Sequence, residues 1–323
     1  MIEEILPNLY KVEVPLPRSP LKATNSYIIK DGPRCLIIDT GWNHEESKRA
    51  LSSGLEELKV DLKKADFFIT HMHADHLGLV STLATDTSTI YSSQASVQHI
   101  SLNSDWNSSN FAYINGFPED ERAKAAEGHP GRRYGGERNL DFHTLREGDQ
   151  ISIGDYSFKC IDTPGHANGH MCLYEPNKKI LMAGDHILID ITPNIPLWSD
   201  DENPLDEYLH SLDKVYDLDV ELVLPGHRSI IENCKKRIEE LKLHHKTRAN
   251  EAFSILGKGT QNAFQVASQM TWDLDYSSWE LFPPSQKWFA FGEAVAHLKY
   301  LEEQGKIQKN KQPGQVATYS RKK

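Results

Sequence analysis

Two kinds of apolar patterning divide the chain. In the first third, "NSYIIKDGPRCLIIDTG" (25–41) places two apolar runs around Asp31-Gly32, a dipeptide suited to tight hairpin turns, and so predicts two paired strands. Residues 44–59 are charged with Leu51, Leu55 and Leu58 at helical spacing, which predicts a surface helix. "ADFFIT", ending at Thr70, predicts a strand, "HLGLVSTLA" a helix, and "TIYSS" a further strand. Strands alternating with helices argue for an α/β layer structure.

From about residue 141 the grammar changes to short strands: "FHTLREGDQISIGDYSFKCIDTPG", "HMCLYEP" and "KKILMAGD". Turn signals at Gly148-Asp149, Gly154-Asp155 and Pro176-Asn177 separate them, and they read as an antiparallel run. A helix over 204–217, a strand over 221–227 and a charged helix over 229–245 follow. The tail predicts helices over 246–256, 261–270 and 285–304, then a β-hairpin turning at Pro313-Gly314. Residues 102–140 show neither strand alternation nor a long helical stripe.

Charge changes the picture at one point. The net charge of -10 divides unevenly: residues 1–240 carry 24 Lys+Arg against 39 Asp+Glu, and residues 241–323 carry 12 against 7. That shift suggests a domain boundary near residue 240. The 323-residue length fits one large and one small domain. No apolar stretch reaches the roughly 18 residues of a membrane span, and "MIEEILPNLY" is not ordered like a signal peptide, so a cytoplasmic protein without a membrane partner is expected. Cys35, Cys160, Cys172 and Cys234 form no C-x-x-C pair and read as buried, reduced thiols rather than zinc ligands.

The chemistry concentrates in "THMHADHLG" (70–78), which crowds His71, His73, Asp75 and His76 between a strand and a helix start. Imidazole and carboxylate are the usual ligands of zinc and similar ions, and a loop held at both ends can turn several of them to one point. Three other apolar strands end in a small residue and then a candidate ligand: His166 and His170 in "TPGHANGH", Asp185 in "MAGDH", and His227 in "LPGHR". The remaining histidines, His186 among them, read as structural or surface residues.

This set, with "DTG" at 39–41, resembles the metallo-β-lactamase superfamily over roughly residues 5–235. The resemblance implies an αββα sandwich. His71, His73 and His166 would hold one divalent ion and Asp75, His76 and His227 a second, with Asp185 bridging them and Asp39 orienting a ligand imidazole. Two such ions, zinc in the first instance with iron or manganese accepted by the same ligands, would share an activated hydroxide, with Asp75 as the catalytic proton acceptor. His170 would act from behind the ligands or serve the fold alone.

Two further segments bear on substrate. Residues 102–140 carry Trp106, Phe111, Tyr113, Phe117, Arg132, Arg133 and Tyr134, and are expected to form a lid whose arginines receive an anionic part of a small-molecule substrate. "ITPNIPLW" (191–198) is a second candidate wall. The tail resembles a winged helix, and "GEAVAHLKYLEEQGKI" is similar to the C-terminal module of lactamase-β-like hydrolases, some of which cut RNA. Its presumed recognition helix, "QNAFQVASQMTW", has no lysine or arginine, which favours packing or homodimer formation over RNA binding. "TPGHANGH" is similar to thioesterases of the hydroxyacylglutathione hydrolase type, so a thioester or small ester is the expected substrate. Endoribonuclease and mononuclear iron sulfur dioxygenase activities are the alternatives.

Overall fold

The computed structural model describes residues 2–102, 110–136 and 140–322. Seven strands build the first sheet in sequential order: β1 (Ile2–Leu6), β2 (Leu9–Pro15), β3 (Ala23–Ile29), β4 (Cys35–Ile38), β5 (Ala65–Phe68), β6 (Ile90–Ser93) and β7 (Phe142–Leu145). Five build the second: β8 (Gln150–Ile153), β9 (Tyr156–Asp162), β10 (Met171–Glu175), β11 (Ile180–Gly184) and β12 (Leu222–Pro225), ordered β12-β11-β10-β9-β8.

Period-two alternation decides which side chain enters which layer. Along β4, Leu36 and Ile38 point between the sheets, where they meet Phe158, Leu173 and Met182, while Cys35 and Ile37 point outward with Phe67. Both faces of this strand are buried, which is why "CLII" reads as an unbroken apolar run. Helix α1 (Glu45–Glu57) covers the outer face of the first sheet through Leu51 and Leu55. The short helices α2 (Ala74–Leu77), α3 (Val80–Leu83), α4 (Gln94–Leu102), α5 (Asn110–Ile114), α6 (Glu119–Gly128) and α7 (Pro130–Tyr134) follow in the chain. Helices α8 (Pro204–Tyr216) and α9 (Cys234–Ile255) cover the outer face of the second sheet, where Leu205, Leu212 and Ile238 pack on Leu181 and Val223. Two sheets face to face with helices outside each form the expected αββα arrangement.

Four expectations about elements are corrected. β7 does not start the antiparallel run but pairs parallel with β6, Ile90 opposite Phe142, because the intervening 48 residues cross over and return it to the first sheet. The helix expected after the histidine cluster is broken into α2 and α3 at Gly78, where a Cβ would lie 2.5–2.6 Å from the backbone of Ala74, Asn43 and Gly41. The two helices expected over 229–245 and 246–256 are one: Ile231 first bridges back to Val223, Asn233 caps the helix by accepting from the Lys236 amide, and no glycine or proline interrupts it before Ile255. The helix expected over 261–270 is a single turn, α10 (Ala263–Ala267), closed by a capping box of Asn262 and Gln265.

Helix α11 (Pro284–Glu303) and the hairpin β13 (Ile307–Asn310) and β14 (Thr318–Arg321) complete the chain. α9 crosses the charge shift at residue 240, and Phe291 and Val295 of α11 share one apolar cluster with Leu205 and Leu212 of α8. Of the segment expected as a lid, the described residues around α5 and α6 are built into this joint. Phe117 is fully buried with its ring edge-on to Phe264, Trp288 and Phe291, 5.1–5.4 Å between centroids, and Glu121 on α6 accepts from Lys287 on α11 at 2.8 Å. Phe111 packs against the same cluster and Tyr113 is exposed. Trp106 lies outside the described residues. No described helix is long and apolar enough to cross a membrane.

All four cysteines are free and buried. Burial pushes the Cys35 thiol up to about 11 and those of Cys160, Cys172 and Cys234 to about 12, so the reactive thiolate is scarce at pH 8. An aromatic disulfide reagent at pH 8 is expected to leave the folded protein unmodified and to titrate all four thiols after unfolding in guanidinium. Prompt labelling of the folded chain would contradict this burial.

Candidate metal centre

Each residue of the centre sits just past the carboxyl end of a strand. Asp39 follows β4, His71 and His73 follow β5, His166 lies in the turn after β9, Asp185 follows β11 and His227 follows β12. Asp75 and His76 stand on α2, the turn of helix that closes the same loop. The two sheets are tied together at this edge by backbone bonds from Met171 N–H to Thr70 O (2.9 Å) and from Asn25 N–H to Gly226 O (2.7 Å), while within the second sheet Gly226 N–H donates to Gly184 O (2.7 Å).

Among the described residues, three groups of potential ligand atoms lie within 4.8 Å of one another: His71 with His73 and His166, His71 with His76 and Asp185, and Asp75 with His76 and His227. In the first, the Nδ1 of His73 is 2.9 Å from His71 Nε2 and 3.0 Å from His166 Nε2. Asp185 faces both sides, with Oδ2 3.6 Å from His166 Nε2 and 3.4 Å from His227 Nε2, and Oδ1 3.5 Å from His76 Nε2. Asp75 Oδ2 lies 3.3 Å from His227 Nε2. His73 is exposed, and the other six candidate ligands are buried.

The ring protons are assigned by what stands behind each imidazole. His166 Nδ1–H donates to the carbonyl of Asn194 at 2.7 Å, and His227 Nδ1–H to the carbonyl of Ala23 at 2.7 Å. Asp39 accepts from the Thr70 amide (2.9 Å), the Thr70 hydroxyl (2.8 Å) and His76 Nδ1–H (2.7 Å). With its proton given to Asp39, the Thr70 hydroxyl accepts from His71 Nδ1–H at 3.0 Å. Four imidazoles therefore turn Nε2 inward, a pattern that fixes ring direction as in metal-binding histidines.

The fit to a cation follows from this donor set. Lone pairs of His71, His73 and His166 converge at hydrogen-bond distance with at most one proton among three acceptors, and the buried His76 Nε2, His227 Nε2 and Asp185 Oδ1 have no hydrogen-bond partner. Burial pulls the His71 imidazole well below its usual range and lowers that of His166, which keeps both neutral. Burial likewise opposes charge on His227, yet the Asp185 and Asp75 carboxylates raise its pKa to about 10. His76 is held well above its usual range against burial by Asp39, Asp185 and Asp75. Burial acts against ionised Asp75 too, but the facing His76 and His227 hold it at about 2. The cavity thus carries fixed negative charge lined by ring nitrogens that can exchange a proton for a metal ion.

His170 is not aimed into this cavity. Its Nε2 accepts from the Asp185 amide at 3.1 Å, leaving Nδ1–H to donate to the Thr163 hydroxyl at 2.8 Å, so it sets the backbone that presents Asp185. Gly184 is required beside it: at φ 47° an added Cβ would lie 2.7 Å from both His170 Nε2 and Thr70 Oγ1. Tyr134 stacks on Trp42 at 4.4 Å and 21°, which fixes α7 against the scaffold, while Arg132 and Arg133 are exposed on that helix. The 191–198 segment supplies the Asn194 carbonyl and stacks Trp198 on Trp288 at 4.3 Å. Sequence reasoning does not find Thr70, Thr163 and Asn194. Thr70 borders the cluster, but threonine and a backbone carbonyl carry no ligand signature.

The comparisons with known proteins place the family and the fold. A family model of the metallo-beta-lactamase superfamily matches residues 20–227, and a second, described as a metallo-beta-lactamase-like C-terminal domain, matches residues 281–322. The chain belongs to the metallo-beta-lactamase superfamily and is a metal-dependent hydrolase of that class. It is 28% identical over 291 residues to "Probable metallo-hydrolase YqjP" of Bacillus subtilis, covering 85% of this chain and 86% of that one. It is 24% identical to the "Atrochrysone carboxyl ACP thioesterase" of Aspergillus fumigatus, over 73% of this chain and 64% of the relative. A crystal structure of a metallo-beta-lactamase family protein from Thermus thermophilus covers 99% of this chain and 100% of its own at 28% identity, with a TM-score of 0.83.

Replacing Asp39 by Asn is expected to weaken metal affinity about 10–100-fold, because an amide cannot accept all three of the bonds that hold Thr70 and His76. Competition with a chromophoric chelator measures this. An Asp39→Asn protein that binds metal as tightly as the parent would contradict the orienting role.

Proposed function

We propose that this chain is a dinuclear metal-dependent hydrolase of thioesters or small carboxylic esters. The observation that carries the dinuclear part is Asp185, whose two oxygens face His76, His166 and His227 at 3.4–3.6 Å and so join two ligand groups. One ion would be held by His71, His73 and His166, the other by Asp75, His76 and His227, with Asp185 between them; zinc suits this set, and iron or manganese shares it. Ions bound there supply an activated water near neutral pH and polarise a carbonyl or phosphoryl oxygen.

The protein's own groups do the rest. Asp39, Thr70, Asn194 and the Ala23 carbonyl keep four imidazoles in one tautomer, which removes reorganisation from the reaction. Asp75, ionised and facing His227 at 3.3 Å, takes the proton released when water adds to the substrate carbonyl. No serine or cysteine nucleophile is needed. The name of the Aspergillus relative supports the thioester class.

We read α9, α10, α11 and the terminal hairpin as a winged-helix module that serves packing rather than nucleic-acid binding. α10 carries no basic residue, and Lys309 and Lys311 of the hairpin pair with Asp200 at 2.5 and 3.1 Å. Those pairs favour the esterase reading over an endoribonuclease, whose binding would draw on free basic groups.

Zinc-loaded and manganese-loaded protein is expected to hydrolyse members of a small thioester panel, and Asp75→Ala to lower kcat by about 100-fold or more with metal content checked separately. Metal-replete protein that leaves every thioester and ester intact while cutting single-stranded RNA would overturn this reading in favour of the nuclease.

A further inference from the structure

The C-terminal helix α11 reaches the metal centre through one buried polar line. The His166 ring donates Nδ1–H to the backbone carbonyl of Asn194, in a segment without regular secondary structure. Such a carbonyl points where its anchors hold it. Its main anchor is its own side chain: Asn194 Nδ2 donates to Glu293 Oε2 at 2.8 Å, with a longer contact of 3.4 Å to the Phe289 carbonyl. Three residues on, Leu197 N–H donates to the Gly292 carbonyl at 3.1 Å, on the same turn of α11.

Glu293 is itself buried and fixed. Its Oε1 faces Arg248 Nε on α9 at 3.7 Å, and Arg248 is in turn held by Glu251 at 2.6 Å, by the Thr271 carbonyl and by the Trp272 ring 4.2 Å beneath its guanidinium. A buried carboxylate with an imperfect ion pair contributes less stability than an apolar residue of its size, so packing alone gives no reason for a glutamate here. A precise acceptor for the Asn194 amide does.

We propose that Glu293 is a positioning residue for the His166 imidazole, acting through Asn194, so that the C-terminal module sets the geometry of the His71, His73 and His166 group. This rests on the reading of His166 as a metal ligand. The line runs from Arg248 through Glu293 and Asn194 to His166, and each step is a polar contact between buried or half-buried groups. The Asp75, His76 and His227 group is oriented instead by Asp39 and Ala23 and lies off this line.

The test uses the full chain with Asn194→Ala, which leaves the Glu293–Arg248 pair in place, and with Glu293→Gln, which keeps the side-chain shape and one acceptor oxygen. Metal affinity is read by chelator competition and site geometry by the visible absorption of the cobalt(II)-substituted protein. Asn194→Ala is expected to weaken one of two bound ions about tenfold and to change the cobalt spectrum, with Glu293→Gln smaller in the same direction. The double variant should be no weaker than Asn194→Ala, because both changes break one line. Wild-type protein that binds two ions while Asn194→Ala keeps both the affinities and the spectrum would overturn the positioning role alone. Wild-type protein that binds no ion would overturn the metal reading, and this inference with it. Should Glu293→Gln fail to fold, the Asn194→Ala affinities and spectrum decide.

Discussion

The structure depends on hydrogen bonds that point away from its centre. Four imidazoles donate Nδ1–H outward, to Thr70, Asp39, Asn194 and Ala23, and so turn Nε2 atoms toward one cavity that also holds Asp75 and Asp185. Inward lone pairs and carboxylates repel one another in a buried space unless protons or cations intervene. The outward bonds keep these groups in that arrangement, and the arrangement defines what binds there.

The acceptors come from distant parts of the chain. Ala23 opens β3, Asp39 follows β4, Thr70 follows β5, and Asn194 belongs to the segment between β11 and α8. Bringing them together requires both sheets to be in register at one edge, which the bonds of Met171 to Thr70 and of Asn25 to Gly226 accomplish. Asp39 takes a left-handed backbone, φ 56°, at the point where its side chain must reach Thr70 and His76 together. Aspartate tolerates this conformation better than most residues, and backbone strain of this kind gathers at functional sites.

Much of this was legible in the sequence for a physical reason. A strand buried on both faces gives an uninterrupted apolar run, and a ligand after a small residue at its end marks where the loop turns inward. His71, His73, Asp75, His76, His166, Asp185 and His227 all carry that mark, and the structure brings all seven to one cavity. Other features carried none. Asn194 acts through a backbone carbonyl and Glu293 through a contact 99 residues distant in sequence, so neither leaves a local pattern. The charge shift at residue 240 is a property of the surface and does not break α9, which runs through it. The parallel pairing of β7 was hidden because a short strand looks the same whichever sheet it joins. Tyr134 read as a substrate contact because an aromatic beside two arginines suggests one, whereas its ring is stacked on Trp42.

Anomalous diffraction at the zinc edge, from crystals of the full chain grown with zinc, tests the account most directly. Two peaks are predicted: one among His71, His73 and His166, the other among Asp75, His76 and His227, with Asp185 touching both. A single peak, or peaks only at surface residues, would contradict a dinuclear centre built by these seven side chains.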